Sequence, residues 1–477
     1  MILSIDQGTT GTTCIVFDEE LQPAGRGYRE IAQHFPEPGW VEHDPEEIWS
    51  SVLTTAEVAL ADAGITAADL TAIGIANQRE TTVVWERRTG RPVHNAIVWQ
   101  DRRTAARCAE LPAALVRERT GLVCDPTFSA TKLEWILARS AEPQSALAFG
   151  TIDAWLIWRL TGGRAHVTDV TNASRTMLLD LAIGDWDDEL LELFSVDRTL
   201  LPTVVPSAGV FAEVSFLGAT LPVAGIAGDQ QAALFGQGCF APGQAKATYG
   251  TGTFVLEHAG ELPGQVAEGL LKTAAATAPG TSAQFAAEGA VLVSGAALQW
   301  LRDGLGLLAS AAESERLATE VGSTEGVFFV PALSGLGSPH WDPEARGLIC
   351  GLTRGTTRAH LVRAALEGIA HQVADITDVL PVKAAVLRAD GGASANSFLM
   401  QFQADMIESP VSVAADADVT ALGAAALAGL GVGFWPDVEA VGALLHRGVR
   451  YEPTMSSFER RQRREGWRDA LGRATSL

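Results

Sequence analysis

Short apolar runs separated by turns open the chain, and the first two of them predict a β-hairpin. They lie at 2–6 and 13–18 and flank a turn that is rich in glycine and threonine. Two further β-type runs flank a turn of the same composition at 244–257. The same unit therefore recurs about half a chain later, and this recurrence predicts two halves of similar construction.

Helical and strand patterns alternate through the rest of the sequence. The clearest helix covers 45–63, where Asp44 can act as the N-cap, Pro45 suits the first turn and Glu47 occupies the capping-box position. Further strands are predicted near 71–76, 81–86, 96–99 and 385–389. Further helices are predicted at 101–110, 130–139, 151–160, 292–308, 357–379, 396–408 and 420–430. This mixture indicates an α/β fold.

Two other segments are predicted to be irregular or solvent-exposed. Residues 200–222 contain three prolines and two glycines, which predicts a loop. We place the domain boundary just beyond this segment, which divides the chain into 1–232 and 233–477. The arginine-rich stretch 458–473 predicts a helix with a solvated face that carries Arg460, Arg461, Arg463 and Arg464.

Length and charge narrow the class of protein. A chain of 477 residues is too long for one ordinary hydrophobic core, so two or three domains are expected. The formal net charge of −22 disfavours nucleic acid and acidic membranes as partners. No apolar run reaches the roughly 18 residues that a membrane helix needs. The five cysteines are scattered, so we expect a cytoplasmic protein with reduced thiols.

The first glycine- and threonine-rich turn is a candidate phosphate-binding loop. It reads DQGTTGTT over 6–13, and such a turn exposes backbone N–H groups and hydroxyls to an anion. Asp6 ends the preceding strand, where a metal ion on that phosphate would lie. Because ordinary hairpins use the same turn chemistry, one copy leaves both interpretations open. The second copy, TYGTG at 248–252, favours binding of ATP with Mg²⁺.

Two strand-to-helix turns carry polar residues. Asp229 lies in GIAGDQQ at 225–231, at the edge of the sheet where ligands collect in α/β folds. Its carboxylate either caps a helix or accepts a proton from a hydroxyl that attacks phosphorus. DGGASANS at 390–397 follows an apolar strand, and Gly392 permits a close approach to a ring or a phosphate. Asn396 either belongs to that site or only caps the next helix.

The segment NQRET at 77–81 places a guanidinium next to a carboxylate. Arg79 and Glu80 either hydrogen-bond several substrate hydroxyls or form a solvated surface pair. Trp99, in the following IVWQDRR segment, either lines a small pocket for a polyol or fills the core. The residues alone leave these alternatives open.

Taken together, these segments resemble the FGGY family of carbohydrate kinases over nearly the whole chain, and within it the members that phosphorylate glycerol. The motifs that carry the resemblance are DQGTT (6–10), PGWVEHDP (38–45), NQRETT (77–82), IVWQDRRT (97–104), HVTDVTNASRTM (166–177), GIAGDQQAALFGQ (225–237), TYGTG (248–252), EGAVLVSGAALQWLRD (288–303), GLTRG (351–355), DGGASAN (390–396) and MQFQAD (400–405).

The resemblance implies two actin-like, ribonuclease H-like α/β domains around a central cleft for ATP and substrate. It implies transfer of the γ-phosphoryl group of Mg²⁺-ATP to glycerol, giving sn-glycerol 3-phosphate, with Asp229 as general base and Asp6 as the Mg²⁺ carboxylate. The implied polyol-binding residues are Arg79, Glu80, Trp99, Thr127, Asp229, Gln230 and Phe254. The implied ATP-binding residues are Thr9, Thr10, Gly11, Thr13, Thr251, Gly295, Gln299, Gly392 and Asn396. A homodimer or homotetramer is usual in the family.

One position departs from the family pattern. Thr127 lies in DPTFS at 125–129, where the members that phosphorylate glycerol carry tyrosine. Threonine is shorter, so we expect a wider or wetter pocket that suits a larger polyol. One alternative is therefore a family member that acts on another polyol or ketose, such as a tetritol or a pentulose. A second alternative, a non-catalytic actin-like ATP-binding protein, has no need for Arg79, Glu80 and Asp229 together.

Overall fold

The computed structural model describes residues 1–261, 266–415 and 418–475, which form two compact units. The first unit consists of Met1–Gly238, Lys272–Phe285 and Asp418–Leu445. The second unit holds the other described residues from Cys239 onward. Within these ranges, no helix has the length and apolar character that a membrane span requires.

The strands are β1 (Ile2–Gln7), β2 (Gly11–Phe17), β3 (Pro23–Glu30), β4 (Glu42–His43), β5 (Ala72–Asn77), β6 (Val83–Glu86), β7 (Ala96–Ile97), β8 (Leu147–Gly150), β9 (Val167–Asp169), β10 (Leu179–Asp180), β11 (Asp185–Trp186), β12 (Thr203–Val205), β13 (Ala208–Phe216), β14 (Ala219–Gly228), β15 (Ala245–Tyr249), β16 (Thr253–Gly260), β17 (Leu271–Ala274), β18 (Phe285–Val291), β19 (Phe328–Val330), β20 (Leu348–Cys350), β21 (Leu387–Asp390), β22 (Val411–Ala414) and β23 (Arg447–Tyr451).

The α-helices are α1 (Pro45–Ala63), α2 (Ala105–Cys108), α3 (Ala113–Thr120), α4 (Ser129–Leu137), α5 (Ile152–Thr161), α6 (Val170–Ala173), α7 (Asp188–Leu193), α8 (Asp229–Gly236), α9 (Gly295–Asp303), α10 (Glu313–Glu320), α11 (Arg358–Thr377), α12 (Ser397–Ile407), α13 (Val419–Gly431), α14 (Val438–Leu444) and α15 (Ser457–Thr475).

The first unit is built on a sheet with the strand order β13-β14-β5-β1-β2-β3. Strand β1 pairs antiparallel with β2 and parallel with β5, and β5 pairs parallel with β14. In this register Gln7 and Gly228 are both partners of Asn77. The carboxyl ends of three strands therefore meet at one edge of the sheet, which is where ligands bind in open α/β sheets.

Close packing of α13 on this sheet depends on two glycines. A Cβ atom added to Gly74 of β5 would lie 2.2 Å from the carbonyl oxygen of Ala424. A Cβ atom added to Gly225 of β14 would lie 2.4 Å from the amide nitrogen of Ala428. Any larger residue at either position would push α13 away from the sheet, because protein interiors have no space for extra atoms at these distances.

The second unit repeats the arrangement. Its strands β18, β16, β15, β21 and β22 are neighbours in that order, with β15 antiparallel to β16 and parallel to β21. The corresponding order in the first unit is β3, β2, β1, β5 and β14. Both units thus have the strand order of a ribonuclease H-like fold, which confirms the predicted α/β fold with a duplicated hairpin unit.

Several element predictions need correction. Helix α1 covers the predicted residues, and Asp44 caps it by accepting from the amide of Glu46. Glu47 does not complete a capping box, because its carboxylate accepts instead from the amide of Ala32 at 3.2 Å. The helix predicted over 101–110 is limited to the four residues of α2.

The prediction of a loop at 200–222 is wrong. Most of this segment belongs to β12, β13 and β14, and β13 and β14 form a hairpin. The hairpin turns at Leu217 and Gly218, whose φ angles of 47° and 87° are both positive. Such a pair of angles matches a two-residue hairpin turn, in which glycine is favoured. The prolines and glycines that suggested a loop lie at turns, strand edges and a bulge.

The prediction of a solvated arginine face on the C-terminal helix is also wrong in part. Arg464 of α15 is 3% exposed, and its guanidinium donates to Asp375 Oδ1 at 2.8 Å and to Asp378 Oδ2 at 2.7 Å. Arg463 donates to Glu367, whereas Arg461 is exposed as expected. The helix is therefore anchored to α11 by buried ion pairs rather than only by its apolar residues.

We expect Arg464→Ala to destabilise the protein by about 3–5 kcal/mol, because it leaves the largely buried carboxylate of Asp375 without its cation. Arg461→Ala is the matched control on the same helix and should change the stability by less than about 0.5 kcal/mol. Differential scanning calorimetry of both variants provides the measurement. Equal transition temperatures for the two variants would contradict the buried-anchor interpretation.

Candidate active site

The first glycine- and threonine-rich turn joins β1 to β2 and is closed by a hydrogen bond from Gly8 N to Gly11 O at 2.9 Å. A Cβ atom on Gly11 would lie 2.6 Å from the carbonyl oxygen of Arg29, so this position requires glycine. Thr10 is exposed, and Thr9 accepts a hydrogen bond on its hydroxyl from Trp99 Nε1 at 2.8 Å. The indole of Trp99 therefore lies against the turn. The tip of the turn, at Thr10, is exposed to solvent.

Asp6 precedes this turn and is paired with Thr13 across the hairpin. Burial, together with the negative charges of Asp229 and Asp418, raises the pKa of Asp6 to about 8. The carboxylate of Asp6 thus lies in the negative field of two other carboxylates. A bound cation would relieve this field, so the residues present fit a Mg²⁺ ion, which commonly uses one or two protein carboxylates plus phosphate oxygens and water.

Arg79 and Glu80 follow directly after β5 and are both 4% exposed, so a solvated surface pair is excluded. The Nε atom of Arg79 lies 3.3 Å from Asp229 Oδ1. Glu80 accepts from Arg175 Nε at 2.7 Å and has a φ angle of 65°. A positive φ at a residue other than glycine is costly and is concentrated at functional sites. Each of the two charged side chains therefore has a partner of opposite charge, Asp229 for Arg79 and Arg175 for Glu80, and these partners fix its position.

Asp229 is the first residue of α8, and the N-cap position belongs to Gly228. The interpretation of Asp229 as a simple helix cap is therefore wrong, although its Oδ1 accepts from the amide of Gln230 at 2.7 Å. A Cβ atom on Gly228 would lie 2.8 Å from the Cγ and Cδ atoms of Arg79. Glycine at 228 leaves the space that the stem of Arg79 occupies between the two strand ends.

Thr127 directs its hydroxyl into its own turn. Its Oγ1 donates to Asp125 Oδ1 at 2.6 Å, and its amide donates to the same oxygen at 2.9 Å. Its carbonyl oxygen accepts from Lys132 Nζ at 2.5 Å. The ammonium of Lys132 is fully buried, and burial lowers its pKa to about 8 against the opposing effect of Glu80 and two aspartates.

The sequence analysis missed two of these residues, Arg175 and Lys132. Arg175 stands in the HVTDVTNASRTM segment, and Lys132 belongs to α4 shortly after Thr127. A signal existed for Lys132, since lysine is rare in this chain and here stands within a largely buried helix. Arg175 had no comparable signal, because only the fold brings it to Glu80.

In the second unit, the turn between β15 and β16 contacts the start of α9. The amide of Gly295 donates to Gly250 O at 3.0 Å, and the amide of Ser294 donates to Thr251 O at 2.9 Å. A Cβ atom on Gly295 would lie 2.6 Å from Gly250 O. The structure thus brings Thr251 and Gly295 together, and Thr251 is exposed at the tip of the turn.

The other candidate nucleotide-binding residues also lie in the second unit. Gly392 follows β21 and is exposed, with open space at its Cβ position, and Gln299 is exposed on α9. Asn396 caps α12 by accepting from the amide of Leu399 at 2.9 Å, and its Nδ2 donates to Ser314 Oγ. Phe254, expected among the polyol-binding residues, is a half-buried residue of β16 in this second unit.

Among the described residues, no group of three or more His, Cys, Asp or Glu side chains has the arrangement of a metal site. A protein-only metal cage is therefore absent from the part of the chain that the structure covers.

Two family models cover most of the chain. The N-terminal domain of the FGGY family of carbohydrate kinases matches residues 1–236, and its C-terminal domain matches residues 245–432. Glycerol kinase 2 of Thermotoga maritima is 52% identical over 99% of this chain and 98% of its own length. The crystal structure of Plasmodium falciparum glycerol kinase with ADP matches with a TM-score of 0.92 and 35% identity, over 99% of this chain and 98% of that one.

A xylulose kinase from Brucella ovis has a similar structure, with a TM-score of 0.87 and 26% identity over 100% of this chain and 98% of that one. This chain has two α/β units, with a buried carboxylate and guanidinium at strand ends of the first unit. Together with the matches, these features define the structure of a carbohydrate kinase. The chain belongs to the FGGY family of carbohydrate kinases.

We expect Asp6→Asn to stabilise the protein above neutral pH and to lower its activity. The pKa of Asp6 is raised from 3.8 to about 8, so the folded state holds this proton more tightly than the unfolded state does. The carboxyl group therefore leaves the free energy of unfolding unchanged below about pH 4, and it lowers this free energy progressively between about pH 4 and pH 8. Because solvent screens a half-buried group, we expect a gain of ~1–3 kcal/mol for the variant at pH 8.5.

Thermal unfolding of the wild type and of Asp6→Asn between pH 4 and pH 9, without nucleotide or metal, tests this prediction. Asp18→Asn is the control, since Asp18 stands in a surface turn of the same unit. A stability difference for Asp6→Asn that is constant across this range would be inconsistent with a raised pKa.

Proposed function

We propose that this protein transfers the γ-phosphoryl group of ATP to glycerol and releases ADP and sn-glycerol 3-phosphate. The observation that carries the proposal is the set of Arg79, Glu80 and Asp229 at the ends of β5 and β14, in a chain that is about half identical to glycerol kinases. Arg79 and Glu80 are buried, and Asp229 is partly exposed beside them. The two charged groups beside Asp229 can hydrogen-bond the hydroxyls of a polyol. The five cysteines are all free, which supports a reducing compartment such as the cytoplasm.

In this proposal, Asp229 is the general base. A primary hydroxyl oxygen of the substrate attacks the γ-phosphorus, the bond from phosphorus to the β,γ-bridging oxygen breaks, and ADP leaves with that oxygen. The proton of the attacking hydroxyl passes to the Asp229 carboxylate. The guanidinium of Arg79, 3.3 Å from Asp229, orients the carboxylate for this role.

Asp6 would hold Mg²⁺, which would neutralise the charge on the phosphates. The turn that contains Thr9, Thr10, Gly11 and Thr13 would hydrogen-bond phosphate oxygens. Thr251, Gly295, Gln299, Gly392 and Asn396 would contact the nucleotide. Gln230, Trp99, Thr127 and Phe254 would complete the polyol site. A homodimer or homotetramer stays a prediction.

A second candidate function is phosphorylation of another polyol or of a ketose. Thr127 favours it, because its hydroxyl already donates to Asp125 and does not extend as a tyrosine would. The similarity to a xylulose kinase at 26% identity is weaker support than the similarity to glycerol kinases. A non-catalytic ATP-binding protein is disfavoured, since the costly burial of Arg79 and Glu80 would serve no purpose in it.

The proposed function is tested by measuring Mg²⁺- and ATP-dependent release of ADP over glycerol, dihydroxyacetone, erythritol, threitol, xylitol and xylulose. We expect the highest kcat/KM for glycerol. Asp229→Asn should lower kcat by about 10²–10⁴-fold on the best substrate, because it removes the general base. A higher kcat/KM for a four- or five-carbon substrate would support the second candidate, and no polyol-dependent ADP release would contradict both.

We expect Thr127→Tyr to shift the preference towards glycerol over four-carbon polyols by about 10-fold, because the larger ring fills space next to the three-carbon substrate. Thr127→Ser is the matched control, since it keeps the hydroxyl that donates to Asp125. The kcat/KM ratio for glycerol and erythritol is the measurement. An unchanged ratio in Thr127→Tyr would remove Thr127 as a determinant of specificity.

A further inference from the structure

A fully buried carboxylate, that of Asp169, lies beneath the strand ends that carry Arg79 and Asp229. Asp169 ends β9 and caps the short helix α6, accepting from the amides of Thr171 and Asn172 at 3.0 Å each. It also accepts from the hydroxyl of Ser207 at 2.8 Å. These bonds satisfy the carboxylate, and they connect it to both strands of the candidate site.

One connection leads to β14. The hydroxyl of Thr171 donates to Asp169 Oδ2 at 2.8 Å and accepts from the amide of Gly228, also at 2.8 Å. Gly228 is the last residue of β14 and directly precedes Asp229. Ser207 reinforces this connection, because its carbonyl oxygen accepts from the amide of Ile226 at 2.9 Å. The backbone at Asp229 is thus tied to Asp169 through one buried hydroxyl.

The other connection leads to β5. The side-chain amide of Asn172 donates to Asp169 Oδ1 at 2.9 Å. The amides of Asn172 and Asn77 also bond reciprocally, at 2.9 and 3.1 Å. Asn77 ends β5 and stands two residues before Arg79. Asp169 is therefore the shared acceptor of two chains of hydrogen bonds that end next to Arg79 and Asp229.

We infer that Asp169 is a positioning residue that acts through Thr171 and Asn172 to fix the separation of Arg79 from Asp229. The inference adds a residue to the proposed function, and it rests on that function because it takes Asp229 as the general base. The role of Asp169 follows from the requirement of phosphoryl transfer for alignment, since a shift of about 1 Å can cost about 10²-fold in rate.

Three variants test the inference through the β14 connection. Thr171→Val removes the hydroxyl that joins Asp169 to Gly228, whereas Thr171→Ser keeps it. Thr168→Val is the matched control, because Thr168 is also buried and donates to a buried carboxylate, Asp153 Oδ2, at 2.7 Å. Both substitutions remove a buried hydroxyl that donates to a buried carboxylate, and the hydroxyl of Thr171 also accepts from the amide of Gly228.

We expect Thr171→Val to lower kcat about 10- to 100-fold, with the KM for ATP unchanged, and Thr171→Ser to restore it. Thr168→Val should lose a similar amount of thermal stability and keep kcat within about 3-fold of the wild type. If the added methyl group prevents folding, Thr171→Ala removes the same hydroxyl without adding bulk. Equal losses of kcat in Thr168→Val and Thr171→Val, or full activity of Thr171→Val, would overturn the inference.

Crystal structures of the same variants provide a readout that does not depend on activity. The distance from Arg79 Nε to Asp229 Oδ1, 3.3 Å in the wild-type chain, should change in Thr171→Val and stay the same in Thr168→Val. An unchanged distance in Thr171→Val would overturn the positioning role. Failure of the wild type on every polyol would instead contradict the proposed function, and the structural comparison would still decide the role of Asp169.

Discussion

The burial of Arg79 is the constraint on which much of the first unit depends. A guanidinium that is 4% exposed is strongly destabilising unless a carboxylate and hydrogen-bond acceptors surround it. Asp229 and Gln231 provide these groups from the start of α8, and the missing side chain at Gly228 provides the space. The carboxylate of Glu80 lies 3.8 Å from Arg79 Nε and 2.7 Å from Arg175 Nε, so it pairs with both guanidinium groups. The fold therefore joins residues from distant parts of the sequence into one balanced set of charges.

The two units share a topology and differ in chemistry. In the first unit, the end of β1 carries the carboxylate of Asp6. At the matching place in the second unit, β15 carries the neutral Thr248, whose hydroxyl accepts from Lys246 Nζ at 2.8 Å. The next residue, Tyr249, is fully buried and donates to Gln403 Oε1 at 3.0 Å. Gly391 has a φ angle of 86°, and a Cβ atom there would lie 2.6 Å from Tyr249 O. Charged side chains thus lie at the strand ends of the first unit, whereas closely packed backbone lies at the turns of the second unit.

The carboxylates of the first unit carry a cost in stability. Asp6 lies in the field of Asp229 and Asp418, and its raised pKa measures how poorly the folded protein accommodates the charge. A protein selected for stability alone would replace such a group with a neutral one. The same arrangement is favourable once a cation and phosphates are present, because opposite charges then neutralise one another. The unfavourable electrostatic energy at Asp6 is consistent with a site that is complete only with its substrates bound.

The local sequence pattern was sufficient to predict those elements in which every residue favours the same secondary structure. The first hairpin and α1 follow from apolar periodicity, a helix cap and turn residues, and the motifs located Asp6, Arg79 and Asp229 at strand ends. The hairpin of β13 and β14 was missed, because its prolines and glycines read as a loop when its partner β5 is unknown. The solvated face expected for Arg464 was wrong for a similar reason, since Asp375 and Asp378 stand nearly ninety residues away in sequence.

Sequence by itself thus determined the α/β class, the duplicated hairpin unit, the family and the identity of the polar residues at the strand ends. Tertiary structure alone decided which charges are buried and what pairs with them. It showed that Arg79 and Glu80 are not a surface pair, that Arg175 bonds Glu80 and that Lys132 bonds the carbonyl oxygen of Thr127. It also showed that Asp169 links β5 to β14. The physical reason is that a pair of charges or hydrogen-bonding groups leaves no periodic signal in sequence when its members are distant, whereas apolar burial and turn chemistry are local and repeat.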